Sequence, residues 1–362
     1  MNIYLDNIVF NLQEAGGISV YWAELIKRLL KDNKSVQFIE SSTGSNIFRQ
    51  ALDIKREDIL IESPLPIKVL RYLPLQKSIT EFSIFHSSYY RICNQANVFN
   101  ITTVHDFTYE FYRKGLPKYV HTNQKKQATK KANGIICVSE NTKKDLLTFH
   151  PCLDDSKITV IYNGVSNDFY PINKAHTDNT GEDIKVVLDK RYILYIGSRD
   201  HYKKFDITIN VVSELKDYCL VIVGGKDFTK VEMADLEKKL SGRHYHFKGL
   251  GNKDLNILYN HAFCLLYPSL YEGFGIPILE AMKAGCPVVA TNVSSIPDVC
   301  GDAGLMVGKA DVKNIIYEIK KLESENFKDH IVQLGFKQAG KFSWDKCYQE
   351  TIQFYENVCR LR

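Results

Sequence analysis

Residues 269–307, SLYEGFGIPILEAMKAGCPVVATNVSSIPDVCGDAGLMV, set two carboxylates, Glu272 and Glu280, across a glycine-rich loop that runs into an apolar helix. Gly273, Gly275 and Pro277 describe a tight turn whose backbone can approach a ligand closely. Pro277 suits the first turn of a helix, where its missing N–H costs nothing. The loop therefore ends at a helix N-terminus, where backbone N–H groups and the helix dipole favour anions.

Upstream, a strand predicted over 192–196 feeds Gly197-Ser198-Arg199-Asp200-His201-Tyr202-Lys203-Lys204-Phe205, a glycine turn carrying basic residues ahead of an amphipathic run. Short β-branched runs alternate with helical patterns through most of the chain, the signature of parallel sheets flanked by helices. The first half offers strands at 3–5, 36–39, 84–87, 101–104, 134–138 and 158–161. The second offers 192–196, 218–223, 244–247, 262–267 and 287–290. The expected fold is α/β with two doubly wound, Rossmann-like parallel sheets and a cleft between their domains. Residues 171–191 are polar with little apolar period and read as the linker between domains 1–170 and 192–344. Trp344, Cys347, Ile352, Tyr355 and Val358 recur at roughly helical spacing after Ser343, a plausible cap, and predict a terminal helix.

A chain of 362 residues exceeds what one core usually serves, and 44% hydrophobic with 25% charged residues supplies two. The net charge of +5 is too mild for a dedicated nucleic-acid binder. Nine cysteines without a C-x-x-C pair, several inside apolar runs, fit a reducing compartment and no zinc site. No apolar run reaches the roughly 20 residues that span a bilayer, and MNIYLDNIVF does not open like a signal peptide, so a cytoplasmic protein is expected.

The 269–307 stretch resembles the E-x7-E motif of retaining glycosyltransferases of family 4, which have the two-domain fold called GT-B. Spacing, interleaved glycines, proline and the PVVATNVSSIPDVCGDAGLMV that follows all match. The resemblance implies that Glu280 holds the ribose hydroxyls of a sugar nucleotide. Glu272, Gly273 and the backbone of Phe274, Gly275 and Ile276 would then meet the sugar and its phosphates. Aligned with the family pattern, GSR-x-x-Y-K places the diphosphate grip on Arg199 and Lys203, with Lys204 an alternative at a position where relatives often carry glycine or asparagine. The family also suggests a front-face mechanism needing no cofactor and no metal.

Weaker signals follow the same order. Gly16 and Gly17 pair at a strand-to-helix loop where N–H groups can cradle phosphate. His105 follows a strand in TVHDF, the context in which family members keep a histidine near the donor sugar; Asp106 would orient it or cap the next turn. Gly224 and Gly225 in VIVGGKD follow a strand; the resemblance would put them near the phosphates, and Phe247, Lys248 and Gly249 where the family's backbone contacts the nucleobase. In KYVHTNQKKQATKK, Lys125, Lys126, Lys130 and Lys131 form a basic face that is either simply solvated or docks peripherally to anionic lipid or a lipid-linked acceptor.

The implied function is transfer of a hexose, with retention, from a nucleotide sugar to a hydroxyl of a glycan or lipid-linked glycan in surface-polysaccharide synthesis. GDP-mannose is the first expectation for the donor, with UDP- and dTDP-sugars open. The rival classes are a sugar-nucleotide epimerase of the same architecture and a non-catalytic sugar-nucleotide-binding module.

Overall fold

The computed structural model describes residues 1–41, 46–62, 65–173 and 181–360. They form two compact units. The first comprises Met1–Gly164 with Trp344–Arg362, of which 361–362 lie outside the described residues; the second is Val165–Ser343.

The first unit holds a seven-stranded sheet of β1 (Asn2–Asp6), β2 (Val36–Glu40), β3 (Ile59–Ile61), β4 (Ser83–Ser87), β5 (Val98–Val104), β6 (Gly134–Cys137) and β7 (Ile158–Val160). Their order is β3-β2-β1-β4-β5-β6-β7, with every pair parallel. The order reverses between β1 and β4, so a crevice is expected outside their carboxyl ends. The helix Gly17–Lys31 follows β1 and buries Tyr21, Trp22, Leu25, Ile26 and Leu29. The terminal helix Trp344–Arg360 packs on this sheet, burying Trp344, Cys347, Ile352, Tyr355 and Val358. Its Tyr355 hydroxyl lies 2.5 Å from His86 Nδ1, and His86 Nε2 lies 2.8 Å from Thr103 Oγ1. Burial pushes the His86 pKa down to about 3, so a neutral ring bridges strand and helix.

The second unit holds β8 (Tyr192–Ile196), β9 (Cys219–Val223), β10 (His244–Phe247), β11 (Cys264–Tyr267), β12 (Val288–Thr291) and β13 (Gly304–Val307) in the order β10-β9-β8-β11-β12-β13, again all parallel. Here the reversal lies between β8 and β11. Two strands were absent from the sequence reading: the short edge strand β3, and β13, whose GLMV closes the E-x7-E stretch.

The expected linker behaves differently from a free connection. Residues 174–180 lie outside the described residues, but those on either side belong to the second unit. The Tyr170 and Ile172 amides donate to the side chains of Asn256 and Asn260, at 3.1 and 2.9 Å. A helix at Glu182–Leu188 buries Ile184 and Val187 against the helix Asn252–His261. Two buried side chains leave too short an apolar period for a sequence pattern to register.

Gly134 shows what the terminal helix requires. A Cβ there would lie 2.7 Å from Phe354 and 2.8 Å from Val358. Gly134→Ala is therefore expected to cost about 1–3 kcal/mol by overpacking. Gly308→Ala, where a Cβ meets nothing within 4 Å, should stay within about 0.5 kcal/mol. Denaturant titration of both variants checks the contrast.

Candidate functional site

In the second unit, two loops leave adjacent carboxyl ends at the sheet's switch point. The loop after β8 opens at Gly197, whose φ of 129° suits glycine and whose amide donates to the Val223 carbonyl at 3.0 Å. The Tyr195 hydroxyl donates to the Ser198 carbonyl at 2.6 Å, and a short helical turn, His201–Lys203, ends at Lys204 with φ 54°. That left-handed backbone explains physically why glycine or asparagine would suit position 204.

The loop after β11 carries Glu272. Lys203 Nζ lies 2.6 Å from Glu272 Oε1, with both side chains largely covered, and the Tyr267 hydroxyl hydrogen-bonds the same carboxylate. Lys203, not Lys204, makes this ion pair. The backbone is fixed as firmly: the Leu270 amide donates to the Tyr202 carbonyl at 2.7 Å, and the Glu272 amide to Ser294 Oγ at 2.8 Å. Ser295 Oγ lies 2.9 Å from the carbonyls of both Glu272 and Phe274, so its hydroxyl is shared between them. Gly275, at φ 112°, then turns the chain into the helix Ile276–Ala284, with Pro277 in its first turn.

Glu280 sits one turn further along that helix. Among the described residues no Lys or Arg pairs with it. The Tyr259 hydroxyl lies 2.8 Å from Glu280 Oε2 and 3.2 Å from the Pro277 carbonyl. Burial pushes the Glu280 pKa up to about 7, and the Tyr259 hydrogen bond only partly offsets it. A carboxylate with one donor keeps acceptor capacity for further hydroxyls.

Arg199 has much of its hydrogen bonding committed. Its Nε lies 3.1 Å from Glu232 Oε1, and its Nη2 donates to the carbonyls of Lys226 and Asp227 at 2.7 and 3.1 Å. The guanidinium stacks 4.0 Å over the Phe228 ring, leaving buried Nη1 without a partner among the described residues. A Cβ on Gly225 would come within 2.7 Å of that Nη1, so glycine is what admits the arginine. Gly224, φ 86°, donates its amide to the Phe247 carbonyl at 2.9 Å and accepts from His246 Nε2 at 2.8 Å. Lys248 pairs with Asp227 at the surface.

In the first unit, Gly16 and Gly17 lie at the start of the helix after β1, and a Cβ on Gly16 would strike Gln13 Oε1 at 2.4 Å. His105 is half-buried beyond β5, edge-on to Tyr21 at 5.1 Å, and burial lowers its pKa to about 4, so it is neutral at pH 7. Asp106 accepts the Thr108 amide at 2.9 Å and caps the next turn.

One basic-face assignment is corrected. Lys125 is fully buried: its Nζ donates to Glu110 Oε2 at 2.9 Å and the Asp106 carbonyl at 2.7 Å, 4.0 Å over the Phe107 ring. Its helix, Gly115–Lys131, turns that side inward, and the acid it meets lies fifteen residues earlier in the chain. Lys126, Lys130 and Lys131 are exposed.

The sequence reading also passed over Tyr259, Tyr267, Ser294 and Ser295. The serines stand within the quoted stretch; nothing local marks the tyrosines as partners of the two glutamates. Among the described residues no three His, Cys, Asp or Glu side chains gather into a potential metal site.

Two family models match the chain: one described as Glycosyl transferases group 1 over residues 178–338, the other as Glycosyltransferase Family 4 over 15–169. The chain belongs to glycosyltransferase family 4. Among this family 4 chain's relatives is the O-antigen chain mannosyltransferase B of Escherichia coli, 28% identical over 94% of this chain and 96% of that protein. Another is an uncharacterised glycosyltransferase of Methanocaldococcus jannaschii, 31% identical over 61% of this chain and 59% of that one. The fold is similar to sucrose-phosphate synthase from Thermosynechococcus elongatus (TM-score 0.78, 18% identity, all of both chains). It is also similar to Anabaena HepE in complex with UDP-glucose (TM-score 0.72, 15% identity, 99% of this chain and 100% of that one). The family 4 chain is a glycosyltransferase with two Rossmann-like parallel-sheet domains of the GT-B class.

The Lys203–Glu272 pair has a measurable signature. Lys203→Ala leaves a largely covered carboxylate without its cation and is expected to cost roughly 3 kcal/mol. The sequence alone gave no reason to expect that loss. Lys203→Ala with Glu272→Gln should lose about 1–3 kcal/mol less than the sum of the single changes. Thermal unfolding of the four proteins reads that coupling.

Proposed function

We propose that this glycosyltransferase is a retaining, metal-independent hexosyltransferase. Its donor in this reading is a nucleotide sugar, with GDP-mannose first. The acceptor is a hydroxyl of a glycan or lipid-linked glycan of a surface polysaccharide. The observation that carries the donor reading is the pairing of a cation with a carboxylate at the β8/β11 switch point, beside a helix N-terminus and a second, unpaired carboxylate. The mannose assignment leans on the Escherichia coli relative, whose name describes an O-antigen mannosyltransferase. HepE is a nucleotide-sugar complex by its printed description, which supports the donor class.

In this reading Glu280 accepts hydrogen bonds from the ribose diol. Lys203 and the first-turn amides of the helix after Gly275 face the diphosphate, with Arg199 adding positive charge beneath the Gly224–Gly225 turn. Glu272 orients both the donor sugar and Lys203. In the first unit His105, neutral at pH 7, keeps an imidazole able to donate or accept a hydrogen bond with a sugar hydroxyl. As the anomeric C–O bond breaks, negative charge grows on the leaving diphosphate, and fixed cations and amides stabilise it without reorganising. The acceptor oxygen bonds to the anomeric carbon on the same face, and its proton passes to the departing phosphate oxygen. No step assigns Glu272 or Glu280 a covalent or proton-transfer role, unlike a hydrolase pair across a glycosidic bond.

Glu280→Gln should weaken nucleotide-sugar binding roughly 10- to 100-fold by replacing a charge-assisted acceptor with a neutral one. Titration with GDP-mannose, UDP-glucose and a dTDP-sugar compares the donors. Proton NMR of the glycoside formed reports its anomeric configuration. An inverted product, or GDP release independent of any acceptor, would contradict the proposal.

A further inference from the structure

One face of the first unit carries an unusual concentration of exposed apolar side chains. Leu65, Val69 and Tyr72 come from one segment, and Phe111, Tyr112, Leu116 and Tyr119 from another; Leu116 and Tyr119 are 72% and 71% exposed. The two segments meet. The Gln124 side-chain amide donates to the Arg71 carbonyl, and a cavity of about 310 Å³ between them is lined by residues including Arg71, Tyr72, Arg91, Tyr119 and Gln124. Large apolar groups gathered this way mark an interaction site, whereas scattered ones need no explanation.

The charge on these two segments has one sign. Residues 65–80 and 111–131 contain no Asp or Glu, but carry Lys68, Arg71, Lys77, Arg113, Lys114, Lys118, Lys126, Lys130 and Lys131. On the Gly115–Lys131 helix, Leu116, Tyr119, Asn123, Lys126 and Lys130 are exposed at spacings of three and four. They make a single stripe, apolar at its start and basic beyond, while buried Lys125 points the other way. In the cavity the two arginines differ. Arg91 is neutralised by Asp6 and Glu62, at 3.1 and 2.8 Å. Arg71 lies over the rings of Tyr89 and Tyr72, at 4.4 and 5.1 Å, with no carboxylate paired to it among the described residues.

We infer that this face docks on an anionic lipid bilayer, with Leu116, Tyr119, Phe111 and Tyr112 entering the interface and Arg71 offering its guanidinium to a lipid phosphate. Exposed aromatic and aliphatic groups interleaved with cations, and no acid among them, match a surface whose headgroups are negative and whose interior is apolar. A soluble partner with an acidic, apolar patch would meet the same charges, but it would not need a cation recessed in a cavity beside the apolar rim. The inference does not depend on which nucleotide sugar the second unit binds.

Vesicle flotation of the intact chain tests it, with phosphatidylcholine vesicles with and without phosphatidylglycerol. The chain should float only when phosphatidylglycerol is present. Leu116→Ser/Tyr119→Ser should weaken partitioning roughly tenfold, and Arg71→Gln and Lys126→Glu/Lys130→Glu should each weaken it several-fold. Each variant should keep the wild-type circular dichroism spectrum and unfolding transition, which shows that it is folded. Absence of flotation by the wild type, or unchanged flotation of all variants, overturns the inference. So does a dimer in sedimentation that Leu116→Ser/Tyr119→Ser dissociates.

Discussion

The ion pair between Lys203 and Glu272 is the contact around which the second unit's site is organised. It ties the loop leaving β8 to the loop leaving β11, the two parallel strands between which the strand order reverses. Without the lysine, a largely covered carboxylate would keep the Tyr267 hydroxyl but lose its cation, and a charge held there without a counter-ion is expensive. The pair therefore sets the loop positions. Through the amides and hydroxyls of Leu270, Ser294 and Ser295, it also bears on the turn at Gly275 that begins the following helix.

The same economy of paired charges runs through the first unit. Lys125 is held by Glu110, and Arg91 by Asp6 and Glu62, all deeply covered. Breaking any one pair leaves a buried ion, so these contacts specify the packing of the loops at the sheet's carboxyl edge more than they add net stability. His86, kept neutral by burial, makes a separate buried polar link between Thr103 on β5 and Tyr355 on the terminal helix. Buried polar contacts thus bind the last helix to the first sheet across more than 260 positions of sequence.

Much of this architecture could be read from the chain. Apolar β-branched runs mark the central strands because both faces of a parallel sheet are covered, and the E-x7-E stretch identifies a helix start by its glycines and proline. β3 was missed because ILI is too short to distinguish from its charged surroundings. The helix Glu182–Leu188 was read as linker because only Ile184 and Val187 are buried. Lys125 looked like its exposed neighbours, since its acid partner is remote from it in sequence. At the site, the grouping of Lys203 with Glu272 and Glu280 was implied by the resemblance to family 4. Tyr259 and Tyr267, and the commitment of Arg199 to Glu232 and the 226–227 carbonyls, are products of tertiary packing that no local pattern carries.

The central claim is that Glu280, held half-buried with one hydroxyl donor, is the acceptor for a nucleotide's ribose. Its pKa of about 7 in the free site makes this testable by proton linkage. The raised value favours the protonated form below pH 7, whereas hydroxyl donors favour the ionised form. Binding should therefore expel the proton. Isothermal titration of GDP, with UDP beside it, at about pH 6 in buffers of different ionisation enthalpy measures the protons released. The account predicts that wild type releases roughly one proton more per site than Glu280→Gln. Equal release by the two proteins would contradict it.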